Sequence, residues 1–103
     1  MSDWIEGEMQ TPERELLERD IQKACIEWAR AKGAYCRKFS SPANRSVPDY
    51  LIVHEGEVWF VEFKRPGKQP TEKQTQEQEA VKAAGGEVWV IDNLEVFKDY
   101  WFQ

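Results

Sequence analysis

The stretch SVPDYLIVHEGEVWFVEFK, residues 46 to 64, carries two short apolar runs that are joined by Glu55-Gly56. Runs rich in valine, isoleucine and aromatic residues on either side of a glycine-containing turn are typical of two antiparallel strands. The pattern therefore predicts a β-hairpin whose strands are residues 48–54 and 57–64. A two-residue turn fixes which residues of the two strands face one another.

Three charged residues occupy strand positions in this hairpin. With Glu55 and Gly56 as the turn, Asp49 lies directly opposite Glu62, with the two Cβ atoms roughly 4.5–5.5 Å apart. Lys64 falls on the same face, because side chains alternate along a strand. Two opposed carboxylates repel unless a shared proton, the lysine or a divalent cation compensates them. Oxygen donors at this range suit Mg²⁺ or Mn²⁺, whereas a three-residue bulged turn would shift the register by one and separate the pair.

The residues before the hairpin predict a helix and a strand. Thr11-Pro12 is typical of a helix start, with a hydroxyl N-cap followed by proline. Apolar residues then recur at intervals of three and four, forming a stripe that ends near Gly33. Residues 34–39 predict a short strand, and a polar loop broken by proline leads from it to the hairpin.

The residues after the hairpin predict a second helix, a fourth strand and a final helix. The second helix opens at Thr71 and closes at Gly85-Gly86. Residues 87–91 read as a buried strand, and Asp92 or Asn93 caps a short helix that ends in YWFQ. The order α-β-β-β-α-β-α predicts a mixed α/β protein of the α+β kind. A right-handed helical crossover would place strand four parallel to strand three.

Length and composition favour one packed domain over residues 1–103, with residues 1–10 as a flexible acidic N-terminus. No apolar run is long enough to span a membrane, and no secretion signal is present at the N-terminus, so we expect a cytoplasmic protein. Cys25 and Cys36 match no zinc spacing. They are interpreted as buried free thiols, with a disulfide as the open alternative.

The net charge of −5 is unevenly distributed. Acidic residues concentrate in residues 1–20, whereas residues 28–48 contain basic side chains and no acid. A second basic group follows the hairpin, from Lys64 to Lys73. Two interpretations are open on charge alone: an ordinary mixed surface, or a phosphate-contacting face on an acidic body.

The first helix offers a third carboxylate. At 100° per residue, Ile21 and Trp28 lie near the middle of the apolar stripe and Glu18 lies at its edge. A carboxylate in that position can reach over the sheet. The alternative is local: Glu18 would favour the positive end of its helix, or pair with Gln22 or Arg14.

At this point the chain resembles a known family. Asp49 followed by Glu62-Phe63-Lys64 matches the PD-(D/E)xK nuclease pattern, and the chain is more closely similar to the VRR-NUC domain, a module often found as a stand-alone phage protein. The matching stretches are ERDIQKACIEWARAKG, SVPDYLIV, VWFVEFKRPGKQPTEKQ and AVKAAGGEVWVID. The resemblance implies a restriction-endonuclease-like αβββαβ core with a short C-terminal helix. Ser46 departs from the pattern, which often carries glycine before xPD.

The resemblance also implies a metal site. Glu18, Asp49 and Glu62 would hold Mg²⁺ or Mn²⁺ together with the main-chain carbonyl of Phe63. Lys64 would act on the attacking water or on charge that develops at phosphorus. Its alternative is a simple ion pair with Glu62.

Gln74 aligns with a glutamine that such nucleases carry after the motif. The local alternative is a capping box, since Thr71 stands three residues earlier. We expect the two roles to need different orientations of the same side chain.

The implied activity is endonucleolytic cleavage of branched DNA, such as four-way junctions or flaps, by a phage-encoded protein in the host cytoplasm. Expected phosphate contacts are Lys38, Arg45, Arg65 and Lys68. A homodimer is expected, for which the aromatic tail, residues 100–102, offers an apolar surface unless it caps the core. The alternatives are a catalytically silent DNA-binding module and a DNA-mimicking interaction protein, although the acid-free stretch disagrees with the mimic.

Overall fold

The computed structural model describes residues 17–103. Its helices are α1 (Glu18–Ala31), α2 (Glu72–Ala83) and α3 (Leu94–Trp101), and its strands are β1 (Tyr35–Lys38), β2 (Tyr50–His54), β3 (Glu57–Phe63) and β4 (Val88–Ile91). The predicted order α-β-β-β-α-β-α is confirmed. No helix in this range is long and apolar enough to cross a membrane. The predicted acidic N-terminus and the helix start at Thr11-Pro12 lie outside the described residues.

Helix α1, which carries the apolar stripe, begins at Glu18. Leu17 is extended, with φ −88° and ψ 165°, so it precedes the first helical turn. Its backbone N–H donates to the carboxylate of Asp20 at 2.8 Å. An acid three residues into the helix thus satisfies a backbone donor that the helix itself leaves free.

The four strands form one sheet in the order β1-β2-β3-β4. Strands β1, β2 and β3 are successively antiparallel, and β4 is parallel to β3 as predicted. Tyr50 pairs with Val61, and the same register continues along the hairpin to its turn. Glu55 and Gly56 have φ values of 49° and 83°, both in the left-handed region that two-residue hairpin turns of type I′ require. The predicted register is therefore confirmed.

The other predicted caps are also present. The Thr71 hydroxyl accepts from the Gln74 N–H at 3.1 Å at the start of α2. Of the two candidate caps for α3, Asp92 and Asn93, the structure has Asn93. Its side-chain oxygen accepts from the Val96 N–H at 2.8 Å. Short polar side chains at these positions satisfy helix N–H groups that have no partner within the helix.

The core lies on the face of the sheet that α1 and α3 cover, where Trp59, Val61 and Phe63 of β3 point inward. Two residues of the aromatic tail join it: Trp101 packs on Trp28 at 5.2 Å between ring centroids, and Tyr100 packs on Trp89. They therefore cap the core, as one of the two interpretations predicted. Phe102, the last residue of the tail, is 70% exposed.

Both cysteines are buried and free, which confirms the free-thiol interpretation. Cys25 belongs to α1 and Cys36 to β1. Burial raises the pKa of the Cys25 thiol to about 12, so this group is a small apolar side chain of the core and not a nucleophile.

Candidate active site

Asp49 and Glu62 meet where β2 begins and β3 ends. The Asp49 N–H donates to the carbonyl of Val61 at 3.0 Å, and the Phe63 N–H donates to Asp49 Oδ2 at 2.8 Å. The Asp49 side chain therefore reaches across to β3 beside Glu62. The two carboxylates are close together, as predicted, but they are not a directly opposed pair: the paired register ends at Tyr50 and Val61, and the Asp49 N–H bonds one residue out of it.

Glu62 is almost fully buried, with 1% of its surface exposed. Its Oε2 accepts from Gln74 Nε2 at 2.9 Å, and Lys64 Nζ lies 3.8 Å from the same oxygen. Its other oxygen, Oε1, is buried and has no hydrogen-bond partner among the described residues. A buried acceptor without a donor is costly in a folded protein. This oxygen is therefore the one atom of the carboxylate that is free for a ligand.

Burial is the main cause that raises the pKa of Glu62 to about 8. The charge of Asp49 raises this pKa further, Lys64 opposes the shift, and Glu18 adds a smaller increase. The pKa of Asp49 is raised as well, by burial, against the Phe63 N–H and the nearby Lys38 and Lys64. Asp49 and Glu62 therefore both resist ionisation. A cation bound beside two such carboxyls would favour their ionised forms.

Lys64 is buried beside these acids, with 7% of its surface exposed. Its backbone N–H donates to the Ile91 carbonyl at 2.9 Å, which fixes the end of β3 against β4. The ion pair with Glu62 is present, as the structural interpretation of Lys64 predicted. The same position leaves the ammonium beside both carboxylates.

Gln74 makes both of the contacts that the sequence presented as alternatives. Its Oε1 accepts from the Thr71 N–H at 2.9 Å, completing the capping box, while its Nε2 donates to Glu62 Oε2. The expectation that the two roles need different orientations is therefore wrong. The side-chain amide has an oxygen that accepts and a nitrogen that donates, so one orientation of Gln74 satisfies both the Thr71 N–H and Glu62.

Gln78, one helical turn further along α2, is 6% exposed, and its Nε2 has no partner in the described part of the chain. It is a buried donor on the same helix as Gln74. We assign it no role.

Glu18 is the first residue of α1 and is half-buried. It lines a groove together with Lys64, and its charge contributes to the raised pKa of Glu62. The three predicted metal ligands are not, however, gathered into one cluster: within residues 17–103 no three His, Cys, Asp or Glu side chains are grouped closely enough to hold an ion. Asp49 turns one oxygen to a backbone N–H and Glu62 turns one to Gln74, so two of the three carboxylates are directed at protein donors.

The four predicted phosphate contacts divide between two grooves that flank the acids. Lys38 and Arg45 line one groove with Asp49, and Arg65 and Lys68 line the other with Glu18 and Lys64. Arg19 also lines the second groove. The sequence reading assigned Arg19 no role, although its position next to a candidate acid at a helix start was a usable signal.

No family model matches this chain. It is 37% identical over 84 residues to the protein named "Putative nuclease p44" of Acyrthosiphon pisum secondary endosymbiont phage 1, covering 81% of this chain and 90% of that protein. A solved VRR-NUC domain superposes with a TM-score of 0.73 at 30% identity, covering 80% of this chain and 90% of that one. The chain belongs to the VRR-NUC family. Both the resemblance and the mixed α/β fold predicted for this VRR-NUC domain are confirmed.

Proposed function

We propose that this VRR-NUC domain is an endonuclease that hydrolyses DNA phosphodiester bonds with Mg²⁺ or Mn²⁺ and that acts on branched DNA such as four-way junctions or flaps. One observation carries the proposal: Asp49 and Glu62 lie close together beside Lys64, and a buried Glu62 oxygen has no hydrogen-bond donor among residues 17–103. The name of the phage relative supports the reaction class.

The donor set fits a hard divalent cation. Carboxylate and carbonyl oxygens are the ligands that Mg²⁺ and Mn²⁺ prefer, and the buried Oε1 of Glu62 has no donor within the described part of the chain. Glu18, Asp49 and Glu62, with the main-chain carbonyl of Phe63, would hold the ion after the three carboxylates had moved closer together, since they are not gathered around one point within residues 17–103. When bound, it would supply Lewis acidity towards a phosphodiester oxygen.

The protein's own groups have separate tasks in this proposal. Lys64 Nζ, held next to Glu62, is placed to orient or deprotonate the attacking water, or to stabilise charge that develops on the phosphate. Gln74 donates to one oxygen of Glu62, and the other oxygen has no protein donor among the described residues. Together they give the acids one defined arrangement before the substrate binds.

The flanking basic residues would bind the DNA backbone. Lys38 and Arg45 on one side, and Arg65 and Lys68 on the other, provide positive charge in two separate grooves. Two grooves on either side of one cleavage site suit a substrate in which two strands diverge, which favours branched DNA. We further propose a homodimer in the host cytoplasm, with the exposed Phe102 as apolar surface for the contact.

Cleavage of linear, flapped and four-way DNA by the wild type, Asp49→Ala and Lys64→Ala tests the function, with Mg²⁺, Mn²⁺ or EDTA present. Glu57→Ala is the matched control, because Glu57 lies on β3 but is exposed at the opposite end. We expect cleavage only by the wild type and the control, and only with metal. Cleavage that persists in EDTA or in Asp49→Ala would refute the mechanism. Metal uptake without cleavage of any DNA would favour a catalytically silent DNA-binding module.

A further inference from the structure

An aromatic residue lies beside the first of the two acids. The Phe39 N–H donates to the Asp49 carbonyl at 2.8 Å, which extends the register in which Lys38 pairs with Tyr50. Towards β3, the Asp49 N–H donates to the Val61 carbonyl and the Phe63 N–H donates to Asp49 Oδ2, so Asp49 joins the strand that carries Glu62. Phe39 is therefore the neighbour of Asp49, which in turn lies beside Glu62.

Phe39 is exposed in spite of its size. It packs against Phe60 with ring centroids 5.4 Å apart, and 36% of its surface remains accessible. It lines the groove that also contains Asp49, and the other lining residues are polar, basic or small: Lys38, Ser40, Ser41, Pro42, Arg45 and Val47. An aromatic ring beside basic side chains and hydroxyls is the combination that binds single-stranded nucleic acid.

The charge of this groove agrees with a nucleotide as its occupant. Residues 28–48, which supply most of the groove, contain no acid. Lys38 and Arg45 can bind the phosphates while Phe39 offers a surface to the base. A base within an intact duplex is stacked on its neighbours on both sides. Only an unpaired or extruded base can therefore lie against Phe39.

We propose that Phe39 stacks on an unpaired base next to the scissile phosphodiester, which makes it a specificity-determining residue for DNA that is unpaired at the cut. This inference rests on the proposed nuclease function, because it takes the acids as the place where the phosphodiester lies. The bond between Phe39 and Asp49, and the groove that both line, place the stacking surface next to the candidate acids. The scissile phosphate and the adjacent base would thus be held by neighbouring residues of one surface.

Binding and cleavage of two DNAs of identical sequence test the proposal, one fully paired and one with the cut strand unpaired. The variants are Phe39→Ala and Phe39→Trp, with Tyr35→Ala as the control. Tyr35 is an exposed aromatic on the same strand that pairs with Val53, towards the hairpin turn and away from the acids. 2-Aminopurine placed in turn at each position around the cut reports stacking through its fluorescence.

We expect Phe39→Ala to weaken binding of the unpaired DNA about tenfold and to abolish the quenching of one 2-aminopurine position. Paired DNA should be unaffected, and Phe39→Trp and Tyr35→Ala should behave as the wild type. Equal losses on both DNAs, or no loss on either, would overturn the proposal while leaving the nuclease intact. Phe39-dependent quenching without cleavage of any DNA would instead support stacking and refute the nuclease function.

Discussion

Removing the charge of Glu62 should stabilise the metal-free protein at high pH. The carboxyl is buried beside Asp49, and its pKa is raised from 4.5 to about 8 in the folded protein. Between pH 4.5 and about pH 8, Glu62 is protonated in the folded protein and ionised in the unfolded chain. The free energy of unfolding of the wild type should therefore be greatest at low pH and fall as the pH rises through this window. Glu62→Gln, which cannot ionise, should lack this slope.

The magnitude follows from the difference in proton affinity. Each tenfold change in affinity is worth about 1.4 kcal/mol, so ionisation of Glu62 above pH 8 costs the folded state up to about 5 kcal/mol. In Glu62→Gln the side chain loses its attraction to Lys64 and places a neutral group where Oε1, which has no partner among residues 17–103, now lies. Together these changes cost the folded state about 1 kcal/mol. We expect Glu62→Gln to be more stable than the wild type by about 2–4 kcal/mol at pH 9 and to lose this advantage at pH 4.

Urea unfolding followed by tryptophan fluorescence in EDTA, at several pH values, measures the effect. Glu57→Gln is the control, since it removes an exposed carboxylate from the same strand. A Glu62→Gln protein that is less stable than the wild type at pH 9, or a wild type whose stability does not fall with rising pH, would refute the reasoning. Adding Mg²⁺ should stabilise the wild type and have a smaller effect on Glu62→Gln, because the variant lacks the charge that the ion would neutralise.

Three further results are expected. Gln74→Glu should keep the helix cap but place a second carboxylate against Glu62. Urea unfolding should therefore show a larger loss of stability at pH 9 than at pH 5. An equal loss at the two pH values would contradict the contact between residue 74 and Glu62. Gly56→Ala should lower the free energy of unfolding by about 1–2 kcal/mol, because Gly56 has a φ of 83°, and an unchanged value would argue against the type I′ turn. Cys25 and Cys36 should resist alkylation in the native protein and react in urea, and rapid native labelling would contradict their burial.

The hairpin was predictable because its information is local. Glu55-Gly56 sets a two-residue turn, and the period of two along each strand then assigns Asp49 and Glu62 to one face. The same locality explains the predicted caps at Thr71 and the final helix. The helix start at Glu18 was not predicted, because an acid at the third helical position, Asp20, is a weaker sign of a helix start than a hydroxyl followed by proline.

The proximity of the candidate residues within the hairpin was more predictable than their contacts with the helices. Asp49, Glu62 and Lys64 are brought together by one hairpin, and the sequence placed them correctly. Glu18 comes from a distant helix, and the orientation of its side chain depends on how α1 packs on the sheet. The expected cluster of three carboxylates is not gathered within residues 17–103, where backbone and side-chain donors contact oxygens of Asp49 and Glu62.

The sequence by itself determined the order of the helices and strands, the register of the hairpin and the residues that face one another across it, since each depends on neighbours along the chain. Only the tertiary structure decided that Glu62 is buried with one oxygen that has no partner among residues 17–103, that Gln74 contacts both the Thr71 N–H and Glu62, and that Phe39 lies beside Asp49. These properties depend on how α2 crosses the sheet and on the pairing of β1 with β2. Burial and hydrogen-bond partners arise from groups that are far apart in sequence, and no local pattern encodes them.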